Sequence, residues 1–274
     1  MGFIVVDQEK CNRDGICVAE CPAHVILMNS REDYPTPVSD FEEYCLRCGH
    51  CVAVCPTGAV RLDWLRPEDC EKIKGDLTIT PEQAGQFLRA RRSIRTFKKK
   101  TVARSILRNL LEVACSAPSA KNSQPWHWVV VQDPSKVQGF ANIAIEWMRT
   151  VARDNPEEAV NRGFTRAVAY WDEGYDSICR GAPHIIVVHG ERDWLFGPED
   201  SALALSLLDL YAAGIGLGAC WGGYFYKAVN ACPPLFEALG LPDDHQAYGA
   251  MMVGYPKFKY HRIPNRNRLE VRWK

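Results

Sequence analysis

Cys45-Leu46-Arg47-Cys48-Gly49-His50-Cys51-Val52-Ala53-Val54-Cys55-Pro56 sets three cysteines two residues apart and a fourth three residues further on, before a proline. This C-x2-C-x2-C-x3-C-P run is a bacterial spacing for thiolate-held iron–sulfur clusters. Tight turns aim three thiolates into one small volume, while the fourth, on the helix that follows, serves another cluster. A zinc ribbon would instead separate two C-x2-C knuckles. A degenerate copy, Cys11-Asn12-Arg13-Asp14-Gly15-Ile16-Cys17-Val18-Ala19-Glu20-Cys21-Pro22, lies 34 residues upstream, counted from Cys11 to Cys45 and from Cys21 to Cys55. Two cysteine-built copies are a duplicated cluster-binding half; a helical solenoid needs more copies and an apolar pattern. Crossing over between the halves assigns Cys45, Cys48, Cys51 and Cys21 to one cluster, and Cys11, Cys17 and Cys55 to the other. Asp14 stands where the second cluster's fourth cysteine would be. Three readings are open: a carboxylate ligand completing a [4Fe-4S] cluster, a [3Fe-4S] cluster without it, or a turn residue before Gly15.

The rest of the composition narrows the class. Seven of the 12 cysteines fall between Cys11 and Cys55, and five are scattered singly. That is metal ligation in a reducing compartment, not a secreted disulfide scaffold. Cys115, Cys179, Cys220 and Cys232 read as small buried side chains. The 47% hydrophobic and 24% charged shares are those of a soluble globular protein. Lysine and arginine balance aspartate and glutamate at 33 each, which gives no reason to expect nucleic acid or an anionic membrane. No apolar run is long enough to span a bilayer, and the first ten residues do not read as a signal peptide, so a cytoplasmic location is expected.

The stretch from Met1 to Trp64 resembles the two-cluster bacterial ferredoxins, with Asp14 as the departure. The resemblance implies an α+β fold and a one-electron relay. Beyond a charged stretch at 67–79, read as a linker, Thr80-Pro81-Glu82-Gln83 opens a helix towards Arg92 with a capping box. A second helix is expected from Thr101, with Val102, Ile106, Leu107, Leu110, Leu111 and Ala114 at helical spacing. Trp126–Val131, His184–His189 and Tyr248–Val253 read as strands, and Ser201–Ala213 as an apolar helix closed by glycines. His127, His184 and His189 sit in or beside apolar strands and read as hydrogen-bonded core residues.

Arg89-Ala90-Arg91-Arg92-Ser93-Ile94-Arg95 offers guanidinium forks suited to phosphate, or on charge alone a solvated basic face. It is followed by Ser116-Ala117-Pro118-Ser119-Ala120-Lys121-Asn122-Ser123-Gln124-Pro125-Trp126, then Gly181-Ala182-Pro183-His184, Gly214-Ile215-Gly216-Leu217-Gly218, Cys220-Trp221-Gly222-Gly223 and Gly254-Tyr255-Pro256. In this order the blocks resemble the nitroreductase family, over roughly Leu77 to Lys274. The resemblance implies an α+β domain with a central mixed sheet flanked by helices, binding FMN at a homodimer interface. It implies that Arg91, Arg92, Ser93 and Arg95 hold the phosphate and ribityl chain, with Arg266, or else Arg262 or Arg268, as a late phosphate ligand. Pro118, Ser119, Asn122 and Gln124 fall in the block that approaches the partner's flavin. Trp221, Gly222 and Gly223 match the backbone beside the reactive N5 edge, although Trp221 equally reads as core.

The expected organisation is a two-cluster domain over 1–66, the linker, and an FMN domain over 80–274. The expected function is an oxidoreductase passing electrons from the clusters to FMN and on to an electron-poor small molecule such as a nitroaromatic or quinone. A ferredoxin or NAD(P)H is the expected donor. An electron-relay module for a protein partner, and a reductase or dehalogenase dedicated to one metabolite, are the alternatives. Trp147, Phe164, Trp171, Tyr175, Phe225 and Tyr226 suggest an apolar, aromatic acceptor pocket, or otherwise core.

Overall fold

The computed structural model describes residues 3–274, in two compact units: Met1–Thr78 with Lys121–Ser123, and Ile79–Ala120 with Gln124–Lys274. Among the described residues no helix is long and apolar enough to cross a membrane.

The first unit runs β1 (Ile4–Val6), α1 (Ile16–Ala19), β2 (Ile26–Leu27), β3 (Thr36–Pro37), α2 (Phe41–Tyr44), α3 (His50–Ala53) and β4 (Val60–Leu62). β1 pairs antiparallel with β4 and β2 with β3. The 34-residue period is written into the backbone. Gly15 and Gly49 hold φ of 72° and 74° immediately before α1 and α3, Arg13 and Arg47 precede them at 59° and 49°, and His24 and Gly58 follow at 52° and 65°. Such angles suit glycine and strain other residues, so both halves fold through the same left-handed turn. At Gly49 a Cβ would also lie 2.9 Å from the Leu65 side chain. Ile4, Val25, Ile26, Phe41, Val52, Val60 and Leu62 pack with Cys17, Cys21 and Cys51 in the core. A unit this small buries little apolar surface, and thiols occupy part of its interior.

The second unit runs α4 (Pro81–Ala90), α5 (Arg104–Ala114), β5 (His127–Val131), α6 (Pro134–Asp154), α7 (Pro156–Asn161), α8 (Phe164–Asp172), β6 (His184–Glu191), α9 (Gly197–Gly214), β7 (Gly218–Trp221), α10 (Gly223–Ala231), α11 (Pro233–Leu239) and β8 (His245–Gly254). Thr80 and Gln83 form the expected capping box, with bonds of 2.9 and 3.2 Å. α4 stops at Ala90 because Arg91 is extended and the chain then runs along β7, where Ile94 N–H donates to the Ala219 carbonyl at 2.9 Å. α5 starts later than Thr101, at Arg104, because Ala103 is extended, and the free Val102 N–H donates to His184 Nε2 at 2.7 Å.

The sheet order is β5-β6-β8-β7. The α+β class and the flanking helices are as expected, but every pair is antiparallel where a mixed sheet was expected. The reason lies in one insertion. β6 and β7, joined through α9, are both antiparallel to β8 and therefore parallel to each other, and β8 separates them. Along β6, Ile185 and Val187 face a core with α6, α8, α10 and α11, while Ile186 and Val188 face a core with α5 and α9. Burial on both faces explains the unbroken apolar run of that strand.

Candidate cofactor sites

Cys45, Cys48, Cys51 and Cys21 line one hollow in the first unit, walled by Val25, Ile26, Phe41 and Leu62. The Cys51 thiol is pushed up to about 12, first by burial and then by the charges of Cys48, Cys45 and Cys21. Cys17 is raised by burial and then by Cys55, Cys11 and Asp14. The two groups of neighbours are those that crossing over between the halves assigns. Four thiols lining one hollow, with Cys51 raised by its burial and its thiol neighbours, fit a positively charged iron–sulfur core, which would relieve that repulsion. Burial also acts on Cys55, yet its thiol is lowered, because its sulfur lies 3.6 Å from the Thr57 hydroxyl and accepts the Ala59 N–H at 3.3 Å. Asp14 Oδ1 accepts the Ile16 N–H at 3.1 Å, so the turn role is present, and it uses one of the two carboxylate oxygens. In this unit too, the Asn122 amide donates to the Leu46 and Arg47 carbonyls at 3.3 and 3.2 Å.

In the second unit Arg91, Arg92, Ser93 and Arg95 line one hollow with Arg262 and Arg266, about 680 Å³ in volume. Arg268 is not among its lining residues. Arg91 is bound to Asp209 of α9 at 2.9 Å. Burial outweighs that neighbouring cation and leaves the Asp209 carboxyl raised. No described carboxylate lies within ion-pair distance of Arg92, Arg95, Arg262 or Arg266. Four unpaired guanidiniums converging on one hollow fit a dianionic phosphate. Gly218 of β7 lets the chain at Ile94 pack closely against that strand, since a Cβ there would stand 2.3 Å from the Ile94 side chain.

Pro118, Ser119 and Gln124 do not line this hollow in the same chain. Ser119 Oγ accepts the Gln124 N–H at 3.0 Å, and buried Asp200 accepts the Ala120 N–H at 2.9 Å. Lys121, Asn122 and Gln124 all hold φ near 50°, a strain that residues other than glycine carry mainly at functional sites. Trp221 is 39% exposed with its ring edge-on to Tyr226 at 5.9 Å, so it is not core. Gly222 N–H is bonded to the Ala250 carbonyl at 2.8 Å, and Gly223 opens α10. Phe164 and Phe225 are fully buried, and Trp147 and Trp171 pack against that core, leaving Tyr175 as the member of the expected aromatic set that lines a hollow without joining the core. Cys179, Cys220 and Cys232 are buried as expected, and Cys115 is half-buried.

His184 is a bonded core residue, as read from the sequence. His189 is buried with its Nδ1 2.9 Å from that of His245, whereas His127 is exposed beside them. Burial, then His245 and His127, lower His189 to about 4. Asp209 and Asp200 were missed by sequence reasoning. The available signal was Asp209 inside the apolar run of α9, and Asp200 with Glu199 in its first turn.

The nitroreductase family model matches residues 88–255, and a 4Fe-4S dicluster domain model matches residues 6–59. An NADH dehydrogenase from Thermus thermophilus is 31% identical over 195 residues, covering 64% of this chain and 88% of that protein. An iodotyrosine deiodinase from Thermotoga neapolitana is 26% identical, covering 67% of this chain and 93% of that protein. The crystal structure of a nitroreductase with bound FMN from Bacteroides fragilis shares the fold at a TM-score of 0.56 and 22% identity, over 69% of this chain and 99% of that one. The chain belongs to the nitroreductase family of oxidoreductases and carries a 4Fe-4S dicluster domain ahead of the family domain.

Proposed function

We propose that this protein is an iron–sulfur flavoprotein that reduces an electron-poor small molecule such as a nitroaromatic or quinone. The observation that carries this is the hollow of unpaired guanidiniums at Arg92, Arg95, Arg262 and Arg266, in a chain whose other unit lines one hollow with Cys21, Cys45, Cys48 and Cys51. FMN supplies two-electron reduction and the clusters supply single-electron transfer. Arg91, Arg92, Ser93, Arg95 and Arg266 would hold the FMN phosphate and ribityl chain. Trp221, Gly222 and Gly223 would border the ring. Pro118, Ser119, Asn122 and Gln124 would serve the flavin of a partner subunit in a homodimer. Cys21, Cys45, Cys48 and Cys51 would hold a [4Fe-4S] cluster, and Cys11, Cys17 and Cys55 the second, with the free oxygen of Asp14 as its fourth ligand or with three irons. The functional division we propose is 1–66 for the clusters, 67–79 as linker, and 80–274 for the flavin, although 67–78 and Lys121–Ser123 pack with the first compact unit.

The test is anaerobic purification with assays of iron, sulfide and flavin, followed by the visible spectrum on adding NADH or reduced ferredoxin. About eight irons and one FMN per chain are expected with Asp14 as ligand, and about seven irons with a three-iron cluster. Bleaching by reduced ferredoxin and not by NADH makes the cluster domain the entry port, and the reverse makes it the flavin. Absence of iron, or of flavin, overturns the proposal. The similarity to a deiodinase favours one second reading, reductive dehalogenation, which predicts halide release from a halophenol by the reduced protein.

A further inference from the structure

A second hollow of the flavin-type unit, about 740 Å³, is lined by Arg166 and Tyr170 of α8, Tyr175, Ser177, Arg180 and, from the first turn of α10, Tyr224. Its size is that of ordinary small-ligand sites. Arg166 Nε and Nη2 donate to the Tyr170 hydroxyl at 3.0 and 2.6 Å, with its guanidinium 5.1 Å from that ring. Arg180 Nη1 donates to the Tyr175 hydroxyl at 2.5 Å. The Tyr170 and Tyr175 rings stand edge-on at 6.2 Å, and the Tyr224 hydroxyl is anchored on the Gly163 carbonyl at 3.3 Å. Neither arginine has an ion-pair partner among the described residues; Glu173 is the one carboxylate in the lining.

Two cations, each oriented by a phenol, with aromatic rings between them match a flat ligand with an anionic end. Through Tyr224 the hollow reaches the first turn of α10, which follows β7. Tyr224 follows Gly223 directly, and Arg180 lies near enough to Cys220 to act on its thiol, which burial raises.

We propose that this hollow selects the acceptor, taking small aromatic carboxylates or phenolates in preference to neutral aromatics of the same shape. The inference rests on the reductase reading for its chemistry but not for binding, and the test separates the two. Benzoate and benzamide are titrated calorimetrically into the flavin- and iron-loaded protein. Benzoate is expected to bind about tenfold tighter or more, the effect of one charge-assisted contact. Arg166→Gln and Arg180→Gln are each expected to bring the two ligands to similar affinity, with the visible spectrum of each variant confirming that it is folded and loaded. In turnover, the kcat/KM ratio of 4-nitrobenzoate to 4-nitrobenzamide is expected to fall in both variants. Equal binding of benzoate and benzamide by the unaltered protein, or a preference that survives both substitutions, overturns the inference. So does a rise in the KM for NADH in the variants while benzoate binding persists, since the hollow would then be a dinucleotide site. If the reduced protein turns over neither nitro compound, the reductase reading falls and the titration still decides this one.

Discussion

Replacing His184 by leucine isolates one buried polar link. The ring is fully buried at the start of β6. Its Nε2 receives the Val102 N–H at 2.7 Å, and a backbone N–H can only donate, so Nε2 carries no proton. The proton therefore sits on Nδ1 and is donated to the Gln132 carbonyl at 2.8 Å. Leucine leaves a donor and an acceptor unpaired. At about 1–3 kcal/mol for each such group, the loss is roughly 2–6 kcal/mol. At about 2–4 °C per kcal/mol for a chain of this size, that is a fall in Tm on the order of 5–25 °C. Glutamine restores an acceptor for Val102 and asparagine a donor for Gln132, so each should recover about half. Burial lowers the His184 pKa, so the unfolded chain takes up the proton first. The stabilisation is complete above about pH 6.5, the unfolded value, and is lost as pH falls from there towards the depressed folded value. The leucine variant should lose part of this acid-side slope. His189, at about 4, retains its own between about pH 6.5 and 4. Equilibrium unfolding of the loaded protein from pH 5 to 8 is the assay. A leucine variant within about 0.5 kcal/mol of the parent would refute the reasoning.

Gly49→Ala should cost about 1–2 kcal/mol for its left-handed φ, plus a clash with Leu65 at 2.9 Å, and lower iron retention. Gly15→Ala, whose nearest neighbour is Met28 at 3.6 Å, should cost the strain alone, and iron assay after gel filtration compares the two. Asp14→Cys should leave the iron count at about eight if aspartate is a ligand and raise it from about seven if the second cluster holds three irons. A count unchanged at about seven would show that iron loss is not governed by this position. Arg91→Gln should cost about 1–3 kcal/mol by leaving Asp209 unpaired, and Asp209→Asn in the same chain should recover most of it, measured as a double-mutant cycle. Arg92→Gln combined with Arg266→Gln should reduce bound flavin at least about tenfold by fluorescence after denaturation, with little change in iron.

What could be read from the sequence depended on how far apart the cooperating residues lie. The cluster half repeats within 34 residues, and its backbone repeats with it: Arg13 and Arg47, Gly15 and Gly49 take the same left-handed path. A local turn is encoded where it forms, so the thiol grouping was legible. The antiparallel sheet was not. β6 was legible as a strand and α9 as a helix, but β7 was not among the strands read, and only the return of β8 between β6 and β7, some 25 residues later, sets the pairing. Arg91, Arg92 and Arg95 of the arginine-lined hollow were legible as a run, but not the contact that fixes Arg91, because Asp209 is 118 positions away. The same distance effect explains why an apolar acceptor pocket was expected. Phe164 and Phe225 are aromatic and suitably placed in sequence, yet opposed packing of α6, α8 and α10 encloses them. Arg166 and Arg180 carried no signal in the sequence, and they become a candidate site only when Tyr170 of α8 and Tyr175 beyond its end stand as their phenol partners around one hollow. An isolated arginine in sequence signals surface. Two arginines tied to tyrosines, with no ion-pair partner, signal an anion, since their side-chain freedom has been given up for contacts with neutral groups.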